Sequence, residues 1–302
     1  MTAFRAEAFW IKARLFINRA MEPGDERSED ERRLWASLAL ELLAKWALAE
    51  TSPALVADPA KDGGDQLFVA LGLKEGGPSV TVQASTAFKR CQAIYHPFSA
   101  QDASKFSNAR NEYLHGSEIA LLAIPADVWW SRYWSLVNVL LTAHQNVLDD
   151  LVGSSRVAEV EAHLARNAER NEQQYEAAVQ AARRNLARYR GDQMSATEAR
   201  RWELSTGPRI AATYNVEVKC PACGGLGTAE SDDAQSKDVT WSNDPHDSYP
   251  TVEVTFVPDY FICPVCHLTL DSYELIELAG LDEEHTIETD EPVYEEPEYG
   301  ND

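Results

Sequence analysis

Arg110 and His115, with the polar Asn111 beside the arginine, have the chemistry needed to cleave RNA without a metal. An arginine keeps its charge at neutral pH, and a histidine, with an ordinary pKa of about 6.5, can take up or release a proton there. On an ideal helix Asn111 and His115 lie one turn apart on one face. Arg110 is rotated away and must reach across with its long side chain. The spacing therefore permits cooperation at one phosphate without forcing it.

The run Arg110-Asn111-Glu112-Tyr113-Leu114-His115 resembles the Arg–polar–xxx–His pattern of the HEPN superfamily. These small helical domains are frequently ribonucleases and often act as toxins or antiviral effectors. The order of segments is similar too: an amphipathic N-terminal helix leading into Ser52–Val56, then the motif, then one more long helix. The resemblance covers about the first half of the chain and implies a HEPN-like helical bundle.

The resemblance also implies roles and partners. Arg110 would hold the phosphate, Asn111 would orient it or the histidine, and His115 would move the proton while the RNA 2′-hydroxyl attacks. Members of this family pair two subunits so that both motifs line one cleft, so we expect a homodimer. An antitoxin or a defence-system protein would be a further partner. Ser117 stands where toxins controlled by a nucleotidyltransferase usually carry tyrosine, so that kind of control is not expected.

Two other interpretations compete with a nuclease. Arg110 could pair with Glu112 or Glu118 while His115 lies beside the bend at Gly116, which would make both residues structural. The chain would then be a non-catalytic helical dimer that binds RNA or a protein partner. A transcription regulator would need DNA affinity in the second module, and the acidic run from Glu230 to Asp233 disfavours that.

Two Cys-x-x-Cys pairs near the C-terminal end predict a metal site. Cys220 and Cys223 follow an alternating strand that begins at Thr213, and Cys263 and Cys266 follow a second one through Val252, Val254 and Phe256. Four thiolates make a closed tetrahedral Zn²⁺ site, which is structural because no coordination position stays open. The pattern resembles a zinc ribbon with a long insertion of 39 residues between the pairs.

Between the two modules the chain is highly charged and predicts a long exposed helix or a helical hairpin, broken near Gly191. Its arginine cluster is the most basic patch, and a solvated helix face is the default interpretation. As weak candidates for RNA contact we take Lys105, Arg183, Arg184, Arg188 and Arg190. Trp129, Trp130 and Trp134 have helical spacing, which favours core packing over stacking on bases.

The helices that position the motif follow from apolar periodicity: one over 2–20, one from Ser28 to Pro53, one over 102–123 and one from Pro125 to about 150. The fold class is therefore mainly α with a small β-rich zinc-ribbon module. The predicted domains are a HEPN-like helical domain over 1–152, a charged helical connector over 153–205, the zinc-ribbon module over 206–280 and an acidic disordered tail over 281–302.

The formal net charge is −22, and ten of the acidic residues lie after Leu281. Such a charge disfavours nonspecific nucleic-acid coating, so an RNA site must be a local basic cleft. No apolar run is long enough for a membrane span, and the N-terminus lacks a secretory pattern. We therefore expect a soluble cytoplasmic protein that makes no membrane contact.

Overall fold

The structure, a computed structural model, describes residues 4–22, 27–75, 80–204, 212–241 and 250–289. The chain divides into two compact units, Met1–Ala168 and Glu169–Asp302. The described residues are mostly helical, and the strands, all in antiparallel pairs, lie in the second unit. None of the helices in these ranges has the length and apolar composition of a membrane span.

The first unit is built from helices. They are α1 (Ala6–Ala20), α2 (Glu29–Thr51), α3 (Asp65–Ala70), α4 (Ala84–Ile94), α5 (Ala100–His115), α6 (Ala126–Ala143), α7 (Leu148–Val152) and the first part of α8 (Ser154–Arg190). Helix α2 packs against α1, α4, α5 and α6. Its Leu40, Leu43 and Leu48 are fully buried. Helix α2 is thus the centre of this unit, and it begins after Ser28 as predicted, although the Ser28 side chain makes no cap hydrogen bond.

Aromatic side chains join α5 to α6. The Phe106 ring meets the Trp129 ring edge-on, with 4.9 Å between centroids, and Trp129 stacks on Tyr133 at an interplanar angle of 7°. Trp129, Trp130 and Trp134 are all buried, so the prediction of core packing is confirmed. Helix α6 ends earlier than predicted, at Ala143, and α7 follows it as a separate short helix.

A buried arginine fixes the segment that follows the motif. Arg33 of α2 is 2% exposed, and its Nη1 donates to the carbonyl oxygens of Leu121 and Ile124 at 2.6 and 2.8 Å. Helix α5 ends at His115 rather than at residue 123, and a 3-10 turn over Ala120–Leu122 replaces its last predicted turns. The end of α5 therefore lies beside a stretch whose backbone is bonded to α2.

The predicted connector is not a free-standing helix. Val157, Val160 and Leu164 of α8 pack in the core of the first unit. Further along the same helix, Val179, Ala182 and Leu186 are buried in a core of the second unit. These residues recur at helical spacing, so α8 contributes a packed face to each unit and only its other faces are solvated. The predicted break is confirmed, since α8 ends at Arg190 and α9 (Ala196–Leu204) follows.

The second unit contains two antiparallel sheets and α10 (Tyr273–Leu278). The strands are β1 (Tyr214–Lys219), β2 (Leu226–Ser231), β3 (Ser236–Trp241), β4 (Pro250–Phe256), β5 (Tyr260–Ile262), β6 (Thr269–Leu270) and β7 (His285–Thr289). One sheet has the order β1-β2-β5-β6 and the other β3-β4-β7. The insertion between the cysteine pairs thus forms the strands β3 and β4 of a separate sheet.

The predicted disordered tail needs a correction. Residues 285–289 form β7, which pairs with β4 in the register Val254 to Ile287. Ile287 packs against the buried side chains of Val252, Val254 and Phe256, because alternation places it on the apolar face of that sheet. Residues 290–302 of the tail, 206–211 and 242–249 of the predicted ribbon module, and residue 205 of the connector lie outside the described residues.

Candidate functional site

The motif lies on the last turns of α5, which is held at both ends. The Ser99 hydroxyl caps the helix by accepting from the backbone N–H of Asp102. Near the other end the Tyr113 hydroxyl donates to the Asp30 carboxylate of α2 at 2.6 Å. Hydrogen bonds from the Ser28 hydroxyl and from Tyr113 lower the pKa of Asp30 below its ordinary value. This ionised acceptor fixes α5 against α2 one turn from Arg110.

The Arg110 guanidinium turns toward α2. Its Nη1 donates to Oε2 of Glu41 at 2.8 Å, and its Nε and Nη2 both donate to Oδ1 of Asn111 at 3.2 and 3.0 Å. The Arg110 side chain is only 11% exposed. Three of its five N–H groups are therefore used, and one on each terminal nitrogen remains for a ligand.

Glu41 lies between two cations. The Lys45 ammonium donates to Oε1 of Glu41 at 2.8 Å and to the Thr81 hydroxyl at 3.1 Å, while Arg110 binds the other carboxylate oxygen. Burial acts to raise the pKa of Glu41, but the bonds and charges of Lys45 and Arg110 outweigh it, and the pKa is lowered. Glu41 therefore stays ionised and holds the Arg110 side chain in one orientation.

His115 lies on an open surface depression. The depression is lined by Asn108, Asn111, Glu112, His115 and Gly116. The backbone N–H of Ser117 donates to Glu112, whose carboxylate folds over Gly116. A Cβ on Gly116 would lie 1.8 Å from Glu112 Oε1, so any residue other than glycine would displace the Glu112 side chain. His115 itself is exposed and accessible to a ligand in the depression.

Asn111 connects the two predicted chemical groups, since it accepts two hydrogen bonds from Arg110 and lines the depression with His115. The partner of Arg110 is Glu41, and neither Glu112 nor Glu118, which the structural interpretation named, is bonded to it among the described residues. The sequence does not point to Glu41 as a partner of Arg110. The only local signal was its spacing of one helical turn from Lys45, a pattern that is common on exposed helices.

The four cysteines converge as predicted. Cys220 and Cys223 lie in the turn between β1 and β2, and Cys263 and Cys266 in the turn between β5 and β6. All four sulfur atoms lie within 4.8 Å of one another, with Cys220 to Cys266 at 3.5 Å and Cys223 to Cys263 at 3.6 Å. Zn–S bonds of about 2.3 Å in a tetrahedron place sulfurs about 3.8 Å apart. The donor set therefore fits one tetrahedral metal ion.

The backbone around the cysteines supports thiolates. The N–H groups of Ala222 and Gly225 donate to the sulfurs of Cys220 and Cys223, each at 3.4 Å. Hydrogen bonds within the cluster lower the pKa of Cys263 and raise those of Cys220 and Cys266. The thiolate is the form of cysteine that binds metals. Cys91, in contrast, is buried in the first unit, and burial raises its pKa, as expected of an inert thiol.

The predicted basic residues do not form one site. Lys105 pairs with Asp102, and Arg188 pairs with Glu198 at 3.3 Å. Arg183 is bonded to backbone carbonyls of the first cysteine turn, so it serves that turn instead of standing free for RNA. Only Arg184 and Arg190 of this set make no hydrogen bond or ion pair with another described residue.

Comparisons of the chain with models of protein families, with curated proteins and with solved structures found no match. The HEPN resemblance of the motif therefore stays a prediction.

Proposed function

We propose that the chain is a metal-independent endoribonuclease of the HEPN type that acts as a toxin or antiviral defence effector. The observation that supports this most is the position of Asn111, which binds Arg110 and lines one depression with His115. Asn111 thereby links the guanidinium of Arg110, which does not itself line the depression, to the exposed imidazole of His115. Both are needed to cleave RNA without a metal.

In the proposed reaction the RNA 2′-hydroxyl attacks the adjacent phosphorus and the bond to the 5′-oxygen breaks. His115 takes the proton from the 2′-hydroxyl. Arg110 stabilises the negative charge on the phosphate oxygens through its remaining N–H groups, one on each terminal nitrogen. The products are a 2′,3′-cyclic phosphate and a 5′-hydroxyl. DNA has no 2′-hydroxyl and is not cut.

The departing 5′-oxygen needs a proton, and one chain offers a single histidine in the motif. A second copy of the chain would supply a second histidine to protonate the 5′-oxygen, so the proposal includes a homodimer. Exposed apolar side chains beside the motif support this: Leu114 is 50% exposed, Ile119 64% and Leu122 45%. A second copy covering them would remove apolar surface from water close to His115.

The second unit would be held together by Zn²⁺ on Cys220, Cys223, Cys263 and Cys266. The four sulfurs leave no position for a substrate, so the ion supplies stability and no chemistry. Cleavage is then expected to continue when weak chelators are present, as long as the cysteine turns keep their metal.

The experiment is a cleavage assay with wild type and His115→Ala, on single-stranded RNA and on DNA of the same sequence. Because His115 is exposed, the variant should keep the wild-type melting temperature and mass in solution but lose cleavage. Ser117→Ala, two residues further on, is the matched control and should cleave normally. Equal cleavage by wild type and His115→Ala, or no cleavage by wild type, would contradict the proposal.

A second function, non-catalytic RNA binding by the second unit, is favoured by one observation. Arg184, Arg190, Arg200 and Arg201 are exposed on α8 and α9 and make no ion pair with another described residue. If this is the function, Arg184→Ala with Arg200→Ala should weaken RNA binding and reduce the salt dependence by about one ion per lost phosphate contact. His115→Ala would then leave RNA binding unchanged.

A further inference from the structure

Arg183 of α8 is bonded to the first cysteine turn. Its Nε donates to the carbonyl oxygen of Ala222 at 2.9 Å, and its Nη2 donates to that of Pro221 at 3.0 Å. Pro221 and Ala222 are the two residues between Cys220 and Cys223. The planar guanidinium thus spans two successive carbonyls, which a point charge such as the lysine ammonium cannot match.

Trp202 of α9 holds the second cysteine turn. Its ring stacks on the His267 imidazole with 3.9 Å between centroids and 19° between planes. His267 follows Cys266, and its backbone N–H donates to the Cys263 carbonyl at 2.8 Å. Its φ of +57° is left-handed, a conformation that is unfavourable for a non-glycine residue. Stacking against Trp202 stabilises this conformation.

The Arg183 contact acts on backbone that also faces a sulfur, whereas Trp202 contacts the side chain of the residue that follows Cys266. The Ala222 N–H that bonds Cys220 belongs to one of the residues whose carbonyl Arg183 binds. Four thiolates around one divalent ion carry a net charge of −2, so a nearby guanidinium is also favoured electrostatically. Residues of this kind, which orient ligands without touching the metal, commonly change metal affinity about 10-fold to 100-fold.

We propose that Arg183 and Trp202 form a clamp on the two cysteine turns, and that this clamp sets the rate at which the metal leaves. The inference rests on the metal occupancy proposed above. It assigns Arg183 to metal retention rather than to RNA. It also makes α8 and α9 part of the metal site, although neither helix carries a ligand.

The experiment measures zinc transfer from the full-length, zinc-loaded protein to an excess of a chromogenic chelator. Arg183 is exposed, so water competes for its bonds and the effect should lie at the low end of the range, roughly 10-fold faster release in Arg183→Ala. Arg183→Lys keeps the charge but not the paired geometry and should release zinc at an intermediate rate. Trp202→Leu should also release zinc several-fold faster.

Arg184→Ala is the matched control, because Arg184 is the next residue, is also exposed, and makes no bond to the cysteine turns. It should release zinc at the wild-type rate. Rates of Arg183→Ala, Arg183→Lys and Trp202→Leu within twofold of that control would overturn the clamp. If the purified protein holds no zinc and takes up neither zinc nor cobalt, the metal site and the clamp are both refuted. If the protein holds zinc but the variants release it at the control rate, only the clamp is refuted.

Discussion

Replacing Glu41 with glutamine should loosen Arg110 and lower the stability of the first unit. The substitution keeps the shape and the acceptor oxygen but removes the charge that faces both Arg110 and Lys45. At an effective dielectric constant of 20 each pair attracts with about 4 kcal/mol, most of which is offset by desolvation. Exposed pairs contribute about 0–1 kcal/mol, whereas breaking a buried pair costs about 3–5 kcal/mol.

The Glu41 side chain is 21% exposed, between those limits, so we expect a loss of about 2 kcal/mol, or roughly 4–8 °C in melting temperature. The pH dependence gives a second check. The pKa of Glu41 is lowered by folding, so its stabilisation is present above the unfolded pKa of about 4.3 and is lost as pH falls through the folded value. The wild type and the variant should therefore converge in acid.

Thermal unfolding at pH 7 and pH 3.5 and RNA cleavage at pH 7 are the assays. Lys105→Ala, which breaks the exposed pair with Asp102, is the control and should change stability by less than about 0.5 kcal/mol. Cleavage by Glu41→Gln should fall more than its folded fraction does, since Arg110 loses its fixed orientation. A variant as stable as wild type at pH 7, with full activity, would refute the role given to Glu41.

Two further predictions concern the second unit. Glu230 is 8% exposed and its Oε2 has no hydrogen-bond partner, so burial and the nearby Asp232 raise its pKa. The stabilisation that comes from protonation of Glu230 is fully present below its pKa in the unfolded chain. It is lost as pH rises through its pKa in the folded protein. Glu230→Gln should therefore raise the melting temperature at pH 8 by an amount that shrinks toward pH 4, and an equal shift at both pH values would contradict this. A Cβ on Gly227 would lie 2.5 Å from the Phe261 ring, so Gly227→Ala should cost about 1–3 kcal/mol in denaturant unfolding, whereas Gly224→Ala, whose Cβ meets nothing within 4 Å, should show only the cost of its positive φ.

The features that could be predicted from the sequence are mainly those set by residues near one another in the chain. Each Cys-x-x-Cys turn, the buried tryptophans of α6 and the break after Arg190 follow from residues close together in the chain. The two cysteine turns meet across 40 positions, and this was predictable because four thiolates are needed to complete one tetrahedral site. Glu41 did not, because it meets Arg110 across 69 positions, and that contact depends on how α2 packs on α5. The sequence makes Arg183 only a weak candidate for RNA contact, because its charge is visible there but its partners are not. The carbonyls that it binds are 38 and 39 positions away.

The strand β7 was missed for a different reason. Its acidic neighbours dominate the composition, and a five-residue strand with one isoleucine gives little alternation to detect. Its partner β4 lies in the insertion, so pairing between these two segments could not be inferred from either alone.

The pairing of β7 with β4 decides where the protein can be shortened. In the sheet order β3-β4-β7, β7 covers one side of β4 and leaves its own outer edge at the border. A chain cut at Gly280 would bare a row of unpaired N–H and C=O groups along β4, next to Val252, Val254 and Phe256, and such an edge recruits other chains. Shortened proteins that end after Thr289 should stay monodisperse, while those ending before His285 should self-associate or precipitate.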